Sequence, residues 1–465
     1  MSQSSPLSAL RRRTELWLVV MAALITAAAY VLAALGKNST MPATIVPFLI
    51  ALLVLLLAAH VAVRVFARGA DSTLLPLAAL LNGLGYVMIA RLSDERAAAQ
   101  TIWTFLGVVA FVATLVLVPR SADLQRFKWS FVAAGAVLLM VPLVPGLGRS
   151  VGGARIWVGL GPITFQPGEL AKIALALFFA AYLSENRREI RESTHHVGPL
   201  TIPEPRYLVP ITAAWGFAVV VMVAEKDLGS ALLFFTLFTV MMWIATERTF
   251  FLLLGLVLFA GAAVVAHQLF EVVRTRVDIW LDPWSVYEGR GYQPAQAMFS
   301  FANGGTAGTG LGMGSPNKIP AASTDYIFAA VGEELGMIGA TAVLIAFLLM
   351  IGAGLRIAVR ADRDFEKLLA TGLTTIIGMQ AFIITGGVLR LIPLTGITLP
   401  FMSYGGSSLL ANYILLGLLI RVSDSTARRA HEVPDSLSLG EQWESFLRRR
   451  TEKRGGRGAL DGGRA

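Results

Sequence analysis

Apolar residues in this chain fall in long unbroken runs, not at the spacing of a surface helix or strand. Runs long enough to cross ~30 Å of hydrocarbon at ~1.5 Å per helical residue lie at 16–35, 44–66, 73–90, 101–118, 129–145, 166–183, 207–224, 228–245, 250–270, 326–354, 366–389 and 408–421. The pattern predicts an all-α polytopic integral membrane protein with about twelve transmembrane helices and one long extracellular loop, 271–325, before the tenth. The runs at 129–145 and 408–421 are the shortest. The break at Glu225-Lys226-Asp227 reads either as a turn between two spans or as a kink in a buried region. The first run follows Arg11-Arg12-Arg13; it is too long for the apolar stretch of a cleaved signal, so it reads as a retained span.

The polar positions between the runs set an orientation. With the N-terminus inside, inner segments carry Arg64 and Arg68, then Arg120, Arg126 and Lys128, then Arg187, Arg188 and Arg191, then Arg248, then Arg356, Arg360, Arg363 and Lys367, and finally Arg421, Arg428 and Arg429. Outer segments are sparse or balanced: Lys37, Arg91 and Arg96 against Asp94 and Glu95, Arg149 and Arg155. This is the positive-inside alternation, and it places 271–325 outside with both ends of the chain in the cytoplasm. The expected organisation is a short inner segment at 1–15, additional N-terminal helices and the start of the core at 16–90, the membrane core at 91–421 and a basic tail at 422–465. Within the tail, Ser438 to Arg450 reads as a short amphipathic helix on the inner leaflet or as a disordered stretch.

Composition agrees. The chain is 55% hydrophobic and 15% charged, with mean hydropathy +0.66. The net charge of +9 belongs to inner loops and tail, so no nucleic acid is expected as a partner. There is no Cys, which excludes disulfides and thiolate chemistry, and the five His offer no metal-ligand spacing.

Chemistry-bearing residues gather at the outer ends of spans. Arg155 follows Gly153-Ala154, and FQPGELAK follows at 165–172. In it Glu169 and Lys172, three apart on one helix face, make either a structural ion pair or part of a site. Asp227 either caps the next helix or joins that site. The glycine-rich run Gly304 to Gly314 lacks the Lys-Ser/Thr of a phosphate loop, so neither a nucleotide nor a haem is expected. Lys318 follows it. Ser323, Thr324 and Asp325 stand where loop becomes helix, as caps or as chemistry. Glu333 and Glu334 lie ~12 Å further inward on a continuous helix, where charge is costly and a functional reading is the default. The last cluster runs from Arg390 through Pro393, Pro400, Ser403 and Tyr404 to Ser407. Its prolines and Gly-Gly pair keep it irregular, as backbone at the membrane edge can be only when buried in protein or lining a cavity.

FQPGELAK, DLGSA, GLGMGS with TDYIFAAVGEELGMIG, and IPLTGITLPFMSYGGSS, in this order over about 151–421, resemble the SEDS family of shape, elongation, division and sporulation proteins. The resemblance implies a ten-helix core, with the two extra N-terminal helices most like actinobacterial elongation-type members. It implies an inverting peptidoglycan glycosyltransferase that polymerises lipid II at the outer face of the bacterial cytoplasmic membrane beside a class B penicillin-binding protein (a transpeptidase). The acceptor 4-hydroxyl would attack an undecaprenyl-linked glycan strand, with Asp325 matching the family's catalytic Asp. The remaining cluster residues named above (Arg155, Glu169, Lys172, Asp227, Lys318, Glu333, Glu334, Arg390, Ser403 and Ser407) become substrate-binding candidates. Of these Lys172, Lys318, Arg155 and Arg390 are cations for the leaving pyrophosphate, and a divalent Mg or Mn ion would serve the same end. The chain departs from the family at Glu225-Lys226, where Gln-Pro is usual, at Arg155, moved by one position, and at Pro320-Ala321-Ala322-Ser323, which lacks the usual Glu and His. A flippase for lipid-linked precursors, and a division-type member, are the alternative readings.

Overall fold

A computed structural model describes residues 6–38, 45–151, 153–160, 163–192, 195–197, 200–202 and 204–430. The chain opens with α1 (Pro6–Asn38) and α2 (Ile45–Phe66). It continues with α3 (Leu74–Leu92), α4 (Asp94–Leu117) and α5 (Lys128–Met140), the last flanked by 3₁₀ turns. An antiparallel sheet of β1 (Gly148–Val151), β2 (Ala154–Leu160) and β3 (Ile163–Phe165), in that order, precedes α6 (Gly168–Glu185). Then come α7 (Arg187–Glu192), a small hairpin of β4 (His195–Val197) and β5 (Leu200–Ile202), α8 (Pro205–Ala224), α9 (Leu228–Thr246) and α10 (Phe250–Leu269). The chain finishes with α11 (Glu271–Leu281), α12 (Tyr292–Gly304), α13 (Ile327–Arg360), α14 (Asp364–Val388) and α15 (Gly406–Arg429).

Every expected apolar run lies on a long helix. Among the described residues eleven helices are long and apolar enough to cross a membrane. The remaining run forms α6, whose 18 residues carry Glu169, Lys172 and Glu185. Four expectations need correction. The 271–325 segment is no open loop, since it contains α11, α12 and a 3₁₀ turn. Between 91 and 100 there is almost no loop, because α4 starts at Asp94 with Ser93 as its N-cap. The last helix runs to Arg429, so the tail expected from 422 begins helical; Ser438 to Arg450 lie outside the described residues. The described residues also carry five short strands, which unbroken hydropathy runs do not reveal.

α14 and α15 form the centre, their most apolar stretches 78% and 83% buried, while that of α10 is 6% buried and faces lipid. α14 packs on α13, α6 and α9, and α15 on α4. Lipid supplies no hydrophobic drive between helices, so close contact must come from small residues. A Cβ at Gly107 of α4 would lie 2.5 Å from the Tyr413 ring of α15, and one at Gly354 of α13 would lie 2.1 Å from Thr374 Oγ1 of α14.

Polar contacts stitch the bundle at two opposite ends. At one, Asp424 accepts from the Gly69 amide and pairs with Arg421 and Arg428. Glu366 there takes Ser121, Ser425 and Arg429, and Glu15 of α1 holds His60 and Arg64 of α2. The other end carries the candidate site.

α13 is interrupted at Gly336 (φ 65°, ψ −166°), a conformation open essentially to glycine. The glycine-rich run lies in the break and supplies the lost backbone bonds. Thr309 N and Gly310 N donate to the carbonyls of Glu333 and Glu334, and Met337 N and Ile338 N donate to Gly305 and Thr306. The run also rests on the C-terminal end of α1. A Cβ at Gly36 would sit 2.2 Å from Leu311 O, and one at Gly312 2.3 Å from Ala33 O. Its glycines are there for close backbone packing.

Candidate functional site

Asp325 stands one residue before the N-cap of α13, which is Tyr326 and makes no side-chain cap bond. The capping reading of 323–325 therefore fails: the Thr324 hydroxyl turns back to Ala321 O at 3.1 Å, and the Asp325 side chain is left for other work. It lines a cavity of about 220 Å³ whose walls come from α11, the start of α12 and the irregular segment after α14. Arg276, Arg290, Gln293, Arg390 and Gly396 share that lining.

Arg276 is the residue nearest in role to Asp325. Its Nη1 donates to Thr395 O at 2.9 Å, which aims the other nitrogen along the Gly396 backbone. A Cβ at Gly396 would meet Asp325 Oδ2 at 3.6 Å and Arg276 Nη2 at 3.9 Å, and Gly396 has φ +77°, so the bare backbone leaves the carboxylate and the guanidinium room to face one space. Burial raises the Asp325 carboxyl above the ordinary aspartate value, with Thr324 and the Arg276 charge opposing it. Burial lowers the Arg276 guanidinium, with Asp227 and Asp325 opposing that. The three groups thus form one electrostatic unit, Arg276 between two acids.

The other predicted residues separate into neighbours and supports. Asp227 caps α9 through Ser230 N at 3.0 Å while its charge acts on Arg276; both readings of it hold at once. Beside it the buried Glu225 is pushed up to about 8 by burial and by Asp227, and its backbone carbonyl takes the Arg155 amide at 2.9 Å. The Arg155 guanidinium turns to Val144 O at 3.3 Å. Arg390 lines the cavity, but its guanidinium is committed to Trp280 O at 2.6 Å and Leu281 O at 3.2 Å, and Trp280 Nε1 returns a bond to Arg390 O at 2.9 Å. It fixes α11 against the segment after α14.

Glu169 and Lys172 pair at 2.7 Å with both side chains almost fully buried. Ser403 donates to Thr324 O and accepts from Leu399 N; Ser407 accepts from Gln166 N at 2.8 Å. These two serines hold the irregular segment to the Asp325 turn and to the start of α6. Lys318 is exposed and does not line the cavity. Glu333 and Glu334 are placed elsewhere too. Glu333 takes Ser300 Oγ at 2.7 Å and Ser315 N at 2.9 Å. Glu334 takes Arg91 Nε at 3.0 Å and Gly312 N at 2.9 Å. Both carboxylates are occupied in clamping the glycine-rich run, so the expectation that they bind substrate gives way to a supporting role. Arg91 reaches across to that clamp instead of balancing its neighbours Asp94 and Glu95.

Arg276 was not legible in the sequence. The one signal was a pair of arginines, Arg274 and Arg276, in a segment placed outside, where basic residues are scarce; the fold was needed to bring α11 to Asp325. Backbone strain marks the same place. Of the five non-glycine residues with positive φ among those described, Lys226, Ala321, Arg390 and Phe401 lie in the segments around the site, where such conformations concentrate. Among the described residues no three His, Asp or Glu side chains converge on one point.

Residues 72–428 match the cell cycle protein family model that groups FtsW, RodA and SpoVE. Over 439 residues the chain is 45% identical to the peptidoglycan glycosyltransferase RodA of Mycobacterium tuberculosis, covering 92% of this chain and 94% of that one. The same protein of Mycobacterium leprae is 42% identical over an equal length. Among solved structures, a chain from work described as structural coordination of polymerization and crosslinking by a peptidoglycan synthase complex aligns with TM-score 0.65 and 29% identity, over 77% of this chain and 98% of that one. The Thermus thermophilus rod shape determining protein RodA aligns with TM-score 0.55 and 26% identity, over 76% of this chain and 96% of that one.

Proposed function

The chain belongs to the FtsW, RodA and SpoVE family of cell cycle proteins and is a multi-pass membrane peptidoglycan glycosyltransferase; we propose that it polymerises lipid II at the outer face of the bacterial cytoplasmic membrane with Asp325 as general base. The observation that carries this assignment is the cavity in which Asp325, lifted by burial, faces Arg276 and Arg290. A base works best when its pKa is brought toward the working pH, and this carboxylate has been moved in that direction.

The acceptor's sugar 4-hydroxyl gives its proton to Asp325 as its oxygen forms a bond to the anomeric carbon of the donor strand. The bond from that carbon to undecaprenyl pyrophosphate breaks, inverting the centre. Negative charge grows on the departing pyrophosphate, and a guanidinium already in place stabilises it without reorganisation. Arg276 and Arg290 line the cavity beside Asp325, which Arg155 and Lys172 do not, and the Arg390 guanidinium is held by the Trp280 and Leu281 carbonyls. The prenyl chains stay in the bilayer, so only headgroups need reach the cavity. A class B penicillin-binding protein is the fitting partner, because one solved relative comes from a complex that couples polymerization to crosslinking.

Purified protein in detergent, given lipid II alone, is expected to yield glycan strands, with Asp325→Asn lowering the rate by ~10²–10⁴-fold while expression and thermal stability persist. A flippase produces no strands in this single compartment. Near-normal synthesis by the Asn variant would remove Asp325 from its role.

A further inference from the structure

A second cavity, about 740 Å³, adjoins the Asp325 cavity and is lined by Thr275, Asp278, Trp284, Tyr287 and Glu288 together with Ile279 and Arg290. Ile279 and Arg290 also line the Asp325 cavity, so the two spaces share a wall. We propose that this second cavity is a saccharide subsite that holds the already polymerised strand next to the reacting end; the proposal rests on the polymerase reading above.

Three features favour a neutral sugar chain. The Trp284 and Tyr287 rings lie beside each other at 6.2 Å and 27°, and Trp284 is 48% exposed, so its open face can take the C–H side of a pyranose, the face of an aromatic ring being its negative side. Around it stand two carboxylates, Asp278 and Glu288, and one guanidinium, Arg290. Carboxylates accept from sugar hydroxyls and amides, and a guanidinium donates to ring and acetyl oxygens. The excess of carboxylate repels a pyrophosphate, which separates this cavity from the leaving-group side.

The two rings are also held in place. Asp282 Oδ1 accepts from Trp284 N at 3.0 Å and from Ser285 N at 3.4 Å. Gln296 donates to the Tyr287 hydroxyl at 3.3 Å, and Arg290 reaches Thr275 Oγ1 at 3.0 Å. Gly291 closes the turn where a Cβ would meet Pro283 O at 2.0 Å. A side chain serving only to float at the membrane interface needs no such framework.

The test uses the full chain carrying Asp325→Asn, so that turnover does not enter the readout, with a soluble β-1,4-linked N-acetylglucosamine tetrasaccharide as the probe. Its affinity is expected to fall at least tenfold with Trp284→Ala and to stay within about threefold with Trp284→Phe, which keeps an aromatic face. In the otherwise wild-type chain, Trp284→Ala is expected to shorten the strands made from lipid II several-fold. No tetrasaccharide binding by the parent protein, or equal binding by the Ala and parent forms, overturns the subsite and assigns Trp284 to the interface. Failure of the polymerase reading shows separately, as no strands from the wild-type chain, whatever the sugar-binding result.

Discussion

The carboxyl of Asp325 is under two opposed influences, burial raising its pKa and the Arg276 charge lowering it. The base form is lost as pH falls through the folded-state pKa, so activity should have an acid limb above the range of an ordinary aspartate. Replacing Arg276 with Gln removes the lowering influence, and the limb should move to higher pH with the rate on the plateau also reduced. A pH–rate profile of polymerisation by both proteins checks this; an unmoved limb means that Arg276 does not act on the base. Glu225 gives a companion prediction in stability. Its folded-state pKa is raised to about 8 from 4.5, so its contribution is fully present below pH ~4.5 and is lost as pH rises through about 8. Melting temperatures of the wild type should decline across that window, and Glu225→Gln should flatten the decline. At this scale the sequence exposed what is local. Asp325, Asp227 and the Glu169–Lys172 spacing could be read from neighbours in the chain, whereas Arg276 lies on a helix whose approach to Asp325 depends on the packing of distant segments.

Elements show where hydropathy was a sufficient guide and where it failed. Long apolar runs locate helices because backbone groups in hydrocarbon must bond within their own segment. The same reasoning misread α13, since its break at Gly336 is satisfied from outside by the glycine-rich run. The helix is regular from Ile327 to Glu334, so both glutamates lie as deep as a continuous helix puts them; the break just beyond, at Gly336, admits the run, and their carboxylates anchor it. The glycines were visible, but their partners, backbone atoms far along the chain, were not. The Glu169–Lys172 pair on α6 belongs here as well, because it is buried in the one long helix whose three charged residues set it apart from the eleven membrane-length ones. Removing either partner leaves a buried charge unpaired, at a cost of about 3–5 kcal/mol. Glu169→Ala and Lys172→Ala should each lower thermal stability sharply, with the double variant recovering part of the loss. Strict additivity in that cycle would show that the two side chains do not support each other.

For the whole molecule, the two stitched ends divide many of the buried charged groups into two sets. Asp325, Arg276, Glu225 and Arg390 share one end, while Glu366, Asp424 and Glu15 share the other, with the inner basic residues around them. The expected orientation puts the first group outside. Because the chain has no Cys, single cysteines test this cleanly. Met313, which is 70% exposed, replaced by Cys should react with an impermeant thiol reagent on intact cells. Cys at the exposed Asp362, between α13 and α14, should react only after lysis. Labelling in the reverse order would invert the topology.

The seat of the glycine-rich run on α1 has a consequence for how this chain can be shortened or recombined. The family match starts at residue 72, beyond both N-terminal helices, yet Ala33 and Gly36 press directly on Leu311 and Gly312. A version trimmed to the matched region would retain every motif around Asp325 and lose the floor beneath one of them. Transplanting this run into a chain without α1 would leave its backbone with nothing to lean on, and a side chain in place of Gly312 would collide with α1 here. α1 and the run therefore make a single exchangeable module, separated by more than 260 positions along the chain and inseparable in any chimera that is to keep its shape.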